Sequence, residues 1–352
     1  MASETYKEQN DKNNIRRLRE IIKRMPPFCK SYFISLETTK STRTRLSYAY
    51  DLNIFFEFLK QNNPKFAHTE LSAYSTPASL LDQITKQDIE EYMSFLQDYD
   101  KDGTNRTNTD SGILRKLSAL RSMYQYFFVN DDIKTNAPSK VSIPKKHHKN
   151  IIRLDIDEVA AMIDYVETGE KLTKAQHRTH DKTRYRDVAI VTLLLGTGIR
   201  VSECVGLDLD DIDFKNNRIQ IIRKGGNEDV VYFGEEVALA LQNYLEQERS
   251  NLNPIEGHEN ALFISLKKQR MSVRSIERMV QKYAKQVTSL KKITPHKLRS
   301  TYGTTLYQET NDIYLVAEVL GHKDVNTTQK HYAASSEERK KRAAKVITLR
   351  EQ

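Results

Sequence analysis

The sequence predicts a mainly α-helical protein with a small β-hairpin, divided into two domains. Only 12 of the 352 residues are glycine and 8 are proline. This composition is typical of helical proteins, because both residues disfavour the interior of a helix. Apolar residues recur at a spacing of three and four through much of the chain, which indicates amphipathic helices. The length exceeds the usual size of one domain, about 100–200 residues, and therefore favours two domains.

The first domain is predicted over residues 41–136, after a polar lead-in of residues 1–40. Its first helix covers residues 41–61, where leucine and aromatic residues lie at helical spacing. The basic part of the lead-in, before Pro26, is interpreted either as an accessory DNA-binding helix or as a solvated segment.

Two further helices are predicted in this domain. Thr85 and Asp88 resemble a capping box, which marks the start of the second helix. The stretch from Asp98 to Ser111 is rich in Asn, Thr and Asp and is predicted to be a loop. The third helix covers residues 113–127, where apolar residues repeat near a period of 3.6.

Residues 137–153 are predicted to form a basic linker, because they contain proline and many lysines and lack apolar periodicity. The second domain covers residues 154–336, and a charged tail of residues 337–352 follows it. Asp155 and Glu158, three residues apart, indicate the start of the first helix of this domain.

The rest of the second domain is predicted to be helical around one hairpin. Residues 169–185 are polar and are predicted to be an inserted loop. An apolar helix over residues 188–195 ends at Gly196-Thr197-Gly198. Residues 218–233 alternate apolar and polar positions on either side of a glycine pair, which predicts a β-hairpin. Helices are expected to dominate after residue 235.

The charge of the chain favours a polyanionic partner such as nucleic acid. Lys and Arg number 56 against 47 Asp and Glu, which gives a net charge of +9. The candidate phosphate contacts are Arg115, Lys116 and Arg121 on the third helix, and Lys145 and Lys146 in the linker. A solvated helix surface is the alternative interpretation of the first three.

Two observations bear on the compartment and on metal binding. Cys29 and Cys204 are far apart and form no CxxC pair, which argues against a disulfide framework and a cysteine-based zinc site. The chain starts without the apolar core of a secretory signal, and no run of roughly 18 apolar residues occurs. We therefore expect a soluble cytoplasmic protein, associated with the nucleoid, that holds no metal.

Residues suited to phosphate chemistry recur at predicted helix ends in the second domain. Arg200 follows the glycine turn at the start of a new helix, where guanidinium and helix N-terminus both attract anions. His296 and Arg299 are three residues apart, on one face of a helix whose first turn is marked by Pro295. Taken alone, Arg200 could equally form a surface pair with Glu203.

Two more residues complete this ordered set. His322 follows a glycine at the end of an apolar helix, and Tyr332 lies ten residues further on. Most tyrosines are packing residues, so Tyr332 alone would carry no functional prediction. The order of the whole set is what favours an active site.

In this order the residues resemble the tyrosine recombinases, also called the lambda-integrase or Xer-like family. The resemblance begins near residue 41 and is strongest over residues 186–332. Gly198-Ile199-Arg200-Val201-Ser202-Glu203 resembles the first catalytic-arginine box of the family. The interval from the second histidine to the tyrosine is nine positions in many members, whereas from His322 to Tyr332 it is ten. The matching catalytic residues are Arg200, Lys224, His296, Arg299, His322 and Tyr332.

The resemblance implies a two-domain, C-shaped DNA clamp, with a helical core-binding domain opposite a mixed α/β catalytic domain. Tyr332 would be the nucleophile, and Arg200 and Arg299 would hold the phosphate. Lys224 would protonate the leaving oxygen. His322 would position the phosphate, and His296 would donate a hydrogen bond or accept the tyrosine proton. Neither a metal nor a nucleotide cofactor is implied.

The implied partner is double-stranded DNA with specific recombination sites. A monomer or weak oligomer would assemble into a homotetramer on two synapsed sites, and the apolar end of the tail would dock on a neighbouring protomer. The insertion of residues 169–185 could contact DNA, a neighbouring subunit or neither. The biological role would be chromosome-dimer resolution or the integration and excision of a mobile element.

Three alternatives remain at this stage. A type IB topoisomerase uses the same chemistry, but the N-terminal helices favour a recombinase. A non-catalytic DNA-binding protein could share the fold. A metal-dependent transposase or nuclease would need a carboxylate cluster, which the sequence does not indicate.

Overall fold

The computed structural model describes residues 5–67, 76–101, 103–142, 152–223, 225–322 and 324–329. The chain divides into two compact units, Met1–His148 and Lys149–Gln352. This division falls within the stretch that the sequence predicts to be a linker. Within the described ranges, no helix is both long enough and apolar enough to span a bilayer.

The described part of the first unit is helical apart from one short hairpin. Its elements are α1 (Tyr6–Ile22), α2 (Cys29–Ser35), α3 (Thr42–Asn62), α4 (Lys86–Phe95), β1 (Asp98–Lys101), β2 (Thr104–Thr107) and α5 (Asp110–Val129), with 3₁₀ turns at Ala78–Gln83 and Ala137–Lys140. The predicted capping box of α4 is confirmed. Thr85 N donates to Asp88 Oδ2 at 2.7 Å, and Asp88 N donates to Thr85 Oγ1 at 3.3 Å.

The core of the first unit includes α1 and α2. Leu18, Met25, Tyr32 and Phe33 are buried together with the apolar faces of α3 and α5. The expectation of a separate polar lead-in over residues 1–40 was therefore wrong. Its few apolar residues lie at helical spacing, and burying them stabilises the whole unit.

Residues 98–101 and 104–107 form an antiparallel hairpin rather than the predicted loop. Asp98 pairs with Thr107, and Lys101 pairs with Thr104. Gly103 has a φ of +69° at the turn. The signal in the sequence was the Asp-Gly pair at positions 102 and 103, because this dipeptide favours two-residue hairpin turns. The residues of both strands are mostly polar, and this composition led to the prediction of a loop.

The start of the predicted linker packs against the first unit. Ala137 and Val141 are buried in its core. Arg121 of α5 donates to Pro138 O at 3.0 Å and to Val141 O at 2.6 Å. The folded part of this unit therefore continues to Val141, about five residues beyond the predicted boundary. Residues 143–151, which include Lys145 and Lys146, lie outside the described part of the chain.

The second unit surrounds one buried helix and contains a three-stranded sheet. Its elements are α6 (Ile156–Thr168), α7 (Lys174–His180), α8 (Arg184–Thr197), α9 (Val201–Gly206), β3 (Ile212–Asp213), β4 (Arg218–Ile222), β5 (Glu228–Tyr232), α10 (Glu235–Gln247), α11 (Val273–Val287), α12 (Pro295–Thr310), α13 (Ile313–Leu320) and α14 (Val325–Thr328). The sheet is antiparallel in the order β3-β4-β5, which confirms the predicted hairpin. α8 packs against α6, α10 and α12.

The polar stretch 169–185 contains a helix, so its prediction as a loop was wrong. Thr173 and Gln176 form a capping box at the start of α7. His180 is buried at the end of α7, and its Nε2 donates to Val166 O at 2.8 Å. Gly169 has a φ of +68°, and a Cβ there would lie 2.8 Å from the imidazole. A satisfied core histidine therefore attaches α7 to the end of α6.

Candidate active site

Three arginines from separate segments meet at the C-terminal end of α13. Arg223 Nη2 donates to Val319 O at 2.8 Å, and Arg200 Nη2 donates to Gly321 O at 3.3 Å. Arg299 Nη2 donates to Leu320 O. The last carbonyls of a helix lack partners within the helix and carry partial negative charge. The partial negative charge at this helix end therefore reduces the repulsion between the three guanidinium groups.

Arg299 is the most enclosed of the three arginines. It lies in α12, its exposed fraction is 3%, and its Nη1 also donates to Gly198 O at 2.6 Å. Gly198 ends α8 with a φ of +63°, and a Cβ there would overlap the Tyr302 ring. The predicted glycine turn thus brings a carbonyl close to a buried guanidinium.

Arg200 is the most accessible of the three. It is the N-cap residue of α9, and 31% of its side chain is exposed. Its backbone N donates to Glu203 Oε2 at 2.7 Å, and its Nη1 donates to Glu203 Oε1 at 2.7 Å. The Arg200–Glu203 pair of the alternative interpretation exists, but it is not a surface pair, because the Glu203 side chain is only 3% exposed. It lies within the arginine cluster rather than apart from it.

Sequence reasoning missed two members of this cluster, Glu203 and Arg223. The Glu203 side chain is only 3% exposed and accepts from both Arg200 and Arg223. Arg223 follows Ile219 and Ile221 at alternate positions, and both isoleucines are buried. Residues two apart on a strand share a face. The sequence could have identified Arg223 by its position, because it is an arginine on the buried face of the hairpin.

His322 lies at the same helix end as the three arginines. It follows Gly321, whose φ is +60°, and its backbone N donates to Ala317 O at 2.9 Å. Its Nδ1 lies 2.8 Å from Oγ1 of Thr328, which is buried in α14. The two contacts fix both the backbone and the ring of this histidine.

His296 occupies the first turn of α12. Pro295 is the first residue of the helix, as its sequence position predicts, and His296 is exposed. Arg299 lies three residues further along the same helix face. The structure therefore describes four of the six predicted catalytic residues. Lys224 and Tyr332 lie outside the described part of the chain.

The three basic residues predicted on α5 have partners within the first unit. Lys116 is 5% exposed and donates to Asn108 Oδ1 at 2.7 Å. Burial lowers the pKa of its ammonium, which Asp51 opposes. Arg121 binds the carbonyls near residue 140, and Arg115, half-exposed, forms an ion pair with the buried Asp51. Lys116 is therefore neither on a solvated surface nor available as the phosphate contact that the sequence predicted, because α5 packs against α2, α3 and the turn at Ala137–Lys140.

One group of described residues could offer three ligands to a metal ion. His177, His180 and Asp181 of the α7 region bring potential ligand atoms within 4.8 Å of one another. None of the three belongs to the predicted catalytic set.

Comparison with known proteins identifies the family. The phage integrase family matches residues 153–339. The chain is 30% identical to tyrosine recombinase XerS of Lactococcus lactis subsp. cremoris (strain SK11), over 93% of this chain and 96% of that protein. It is 31% identical to tyrosine recombinase XerC of Caldanaerobacter subterraneus subsp. tengcongensis, over 86% of this chain and 82% of that protein.

A solved structure shows the same fold. The XerH site-specific recombinase, in a post-cleavage complex with a palindromic difH substrate, aligns with a TM-score of 0.65 and 18% identity, covering 87% of this chain and 80% of that one. These relatives are recombinases, and the topoisomerase alternative gains no support from them. The chain therefore belongs to the phage integrase family, and it is a site-specific tyrosine recombinase.

Proposed function

We propose that this recombinase cleaves each DNA strand through a 3′-phosphotyrosine at Tyr332, with Arg200 and Arg299 holding the scissile phosphate. The observation that carries the proposal is the meeting of both guanidinium groups at Leu320 and Gly321, next to His322. Hydrogen bonds to protein carbonyls hold both side chains in place. Such preorganised cations stabilise a transition state without the cost of reorganising solvent.

The chemistry requires cations because the attacked phosphodiester is an anion. In the transition state, negative charge spreads over the nonbridging oxygens. Guanidinium groups bind such oxygens in a planar, bidentate manner. Arg200, which is part-exposed, would contact the phosphate directly. Arg299, which is buried, would attract the phosphate through its positive charge from below the protein surface.

The proposed step exchanges one P–O bond for another. The Tyr332 oxygen attacks phosphorus and forms a new O–P bond, while the bond from phosphorus to the 5′-oxygen breaks. Tyrosine has an ordinary pKa of about 10, so its proton must pass to a base, and His296 is the proposed acceptor. The leaving 5′-oxygen takes a proton from the Lys224 ammonium. The phosphotyrosine conserves the bond energy, so religation needs no nucleotide cofactor.

The proposed partner is double-stranded DNA that carries two specific sites. Four protomers would exchange strands pairwise through a Holliday junction, and the apolar end of the tail would dock between protomers. The relatives named XerS and XerC favour Xer-type resolution of chromosome dimers. Such a protein would work in the cytoplasm, on the nucleoid.

A covalent-trapping experiment tests the nucleophile. The recombination site is first selected by binding from a random-sequence duplex library. It is then made into an end-labelled suicide duplex, with a nick near the cleavage point, and incubated in EDTA with wild-type protein, Tyr332→Phe and Tyr314→Phe. Tyr314 is exposed on α13 and serves as the matched control.

We expect a protease-sensitive adduct on a denaturing gel for the wild type and for Tyr314→Phe, and none for Tyr332→Phe. An adduct with Tyr332→Phe would move the nucleophile to another residue. Cleavage that disappears in EDTA would instead indicate a metal-dependent nuclease.

A further inference from the structure

Arg223 makes four side-chain contacts that join three separate parts of the second unit. Its Nε donates to Asp229 Oδ2 at 2.7 Å, and its Nη2 donates to Val319 O at 2.8 Å. Its Nη1 lies 3.4 Å from both Glu203 Oε2 and Leu320 O. One guanidinium thus links the β4–β5 hairpin to the end of α13 and to the first turn of α9.

The guanidinium also packs directly against Gly321. A Cβ at Gly321 would lie 2.8 Å from Arg223 Nε and 2.9 Å from Arg223 Cζ. Any other residue at position 321 would push the arginine away, and its φ of +60° disfavours a side chain as well. Arg223 therefore fits against the residue that precedes His322.

Arg223 is also the residue at which the hairpin turn closes. Its backbone N donates to Asn227 O at 2.7 Å, and its O accepts from Gly226 N at 3.0 Å. Gly225 and Gly226 have φ values of +106° and +93°, as tight turns require. Lys224 follows Arg223 directly in the sequence, so these contacts fix the backbone immediately before Lys224.

We propose that Arg223 is a positioning residue, which holds the base of the β4–β5 hairpin on the end of α13 so that Lys224 can protonate the leaving 5′-oxygen. The proposal rests on the proposed function, because it requires Lys224 to be the general acid. Arg223 is 9% exposed and binds protein atoms through all three of its nitrogens. It would therefore act through its neighbours rather than on the phosphate.

A change of leaving group separates this role from a general structural one. In a natural strand the 5′-oxygen must receive a proton from Lys224 as the P–O bond breaks. When sulfur replaces that bridging oxygen, a thiolate leaves and needs no proton. Loss of the general acid, or of its positioning, then has little effect on the cleavage rate. Damage to the arginine pair on the phosphate would slow both substrates.

The experiment measures single-turnover cleavage of matched suicide duplexes with a 5′-bridging oxygen or sulfur. The variants are Arg223→Ala, Arg223→Lys and Lys224→Ala. The matched control is Arg218→Ala, an exposed arginine on the same strand that pairs with Asp213. On the oxygen substrate, we expect Arg223→Ala and Lys224→Ala to be slower by about 10²-fold or more, the usual contribution of a general acid.

On the sulfur substrate, we expect the same two variants to cleave within about tenfold of the wild type, since no proton is required. Arg223→Lys keeps the positive charge but lacks the planar guanidinium group. We expect it to slow cleavage of the oxygen substrate less than Arg223→Ala does, and to be rescued by sulfur in the same way. Arg218→Ala should match the wild type on both substrates. Thermal melting and DNA binding report whether each variant is folded.

The outcomes distinguish the two proposals. If sulfur fails to rescue Lys224→Ala, then Lys224 is not the general acid, and the proposed function fails at that residue. If sulfur rescues Lys224→Ala but neither Arg223 variant, the positioning role is overturned. Should Arg223→Ala fail to fold, Arg223→Lys and Asp229→Ala decide. Asp229→Ala removes the carboxylate that accepts from Arg223 Nε. If its rate relative to the wild type is the same on the oxygen and the sulfur substrate, the proposal is contradicted.

Discussion

Glu203 is the buried acidic residue of the arginine cluster, whereas the side chain of Asp229, the other carboxylate bound to Arg223, is part-exposed. The Glu203 carboxylate accepts hydrogen bonds from Arg200 and Arg223, and it lies below the surface. Like charges that share a poorly hydrated volume repel strongly. Glu203 therefore stabilises the arginines in the folded protein, and it holds Arg200 through both backbone and side chain.

Replacing Glu203 with Gln should destabilise the protein and slow cleavage together. Removing one partner of a buried ion pair leaves an uncompensated charge. We expect a loss of roughly 3 kcal/mol in the free energy of unfolding, at the low end for buried pairs because Arg200 is part-exposed. Urea unfolding measures the first effect, and adduct formation on the suicide duplex measures the second.

The control for this prediction is Asp213→Asn, which removes the partner of Arg218 in an exposed pair. Exposed pairs contribute little, so its unfolding curve should follow the wild type. Equal stability of the two variants would show that the Glu203 carboxylate does not stabilise the arginines in the folded protein.

At the scale of elements, local signals in the sequence were sufficient wherever a helix has a clear start or end. The capping boxes of α4 and α6, the proline that opens α12 and the glycine that ends α8 all lie where predicted. These features depend on neighbouring residues alone. The sequence therefore located Arg200, Arg299 and His322 at helix ends.

Features that depend on distant contacts could not be predicted in the same way. The contact between Arg223 and Glu203 joins residues 20 apart, and that between Arg223 and Val319 joins residues 96 apart. Likewise, Lys116 has the pattern of an exposed lysine, and only the packing around α5 shows that it is buried. The roles of such residues follow from tertiary structure.

The end of α8 should tolerate no side chain at its final glycine. Gly198→Ala would force a β-carbon into a positive-φ position and into the Tyr302 ring. We expect a cost of about 1–2 kcal/mol from the backbone, and about 1–3 kcal/mol more from crowding. Urea unfolding measures the loss of stability. Cleavage should fall too, because Gly198 O binds Arg299.

Gly234→Ala is the matched variant in the same unit. Gly234 has a φ of −85°, and a Cβ there would meet nothing within 4 Å. It should therefore change the unfolding free energy little. If both variants were equally stable, the tight approach of Gly198 to Tyr302 would not be a property of the folded protein.

At the scale of the whole molecule, the net charge of +9 should make DNA binding depend steeply on salt. Each phosphate contact that is lost lowers the slope of log K against log salt by about 0.9. We therefore expect Lys145→Gln and Lys146→Gln each to flatten the slope by up to about that amount. Lys116→Met should leave it unchanged, because its ammonium is buried on Asn108. Binding titrations on one duplex at several salt concentrations measure the slope.

A flatter slope for Lys116→Met, in protein that melts like the wild type, would contradict the buried role of this lysine. Unchanged slopes for both linker variants would remove Lys145 and Lys146 from the candidate phosphate contacts.

The convergence of three arginines on one helix end also has a consequence for when the enzyme can act. Arg200, Arg223 and Arg299 come from segments spread over 100 residues, and their common acceptors lie at residues 319–321. Glu203 joins Arg200 to Arg223, but the helix end that all three arginines contact exists only once that last segment has folded. The arginine cluster is therefore completed only after the chain has been translated past residue 321, so a partly synthesised chain lacks the complete candidate active site.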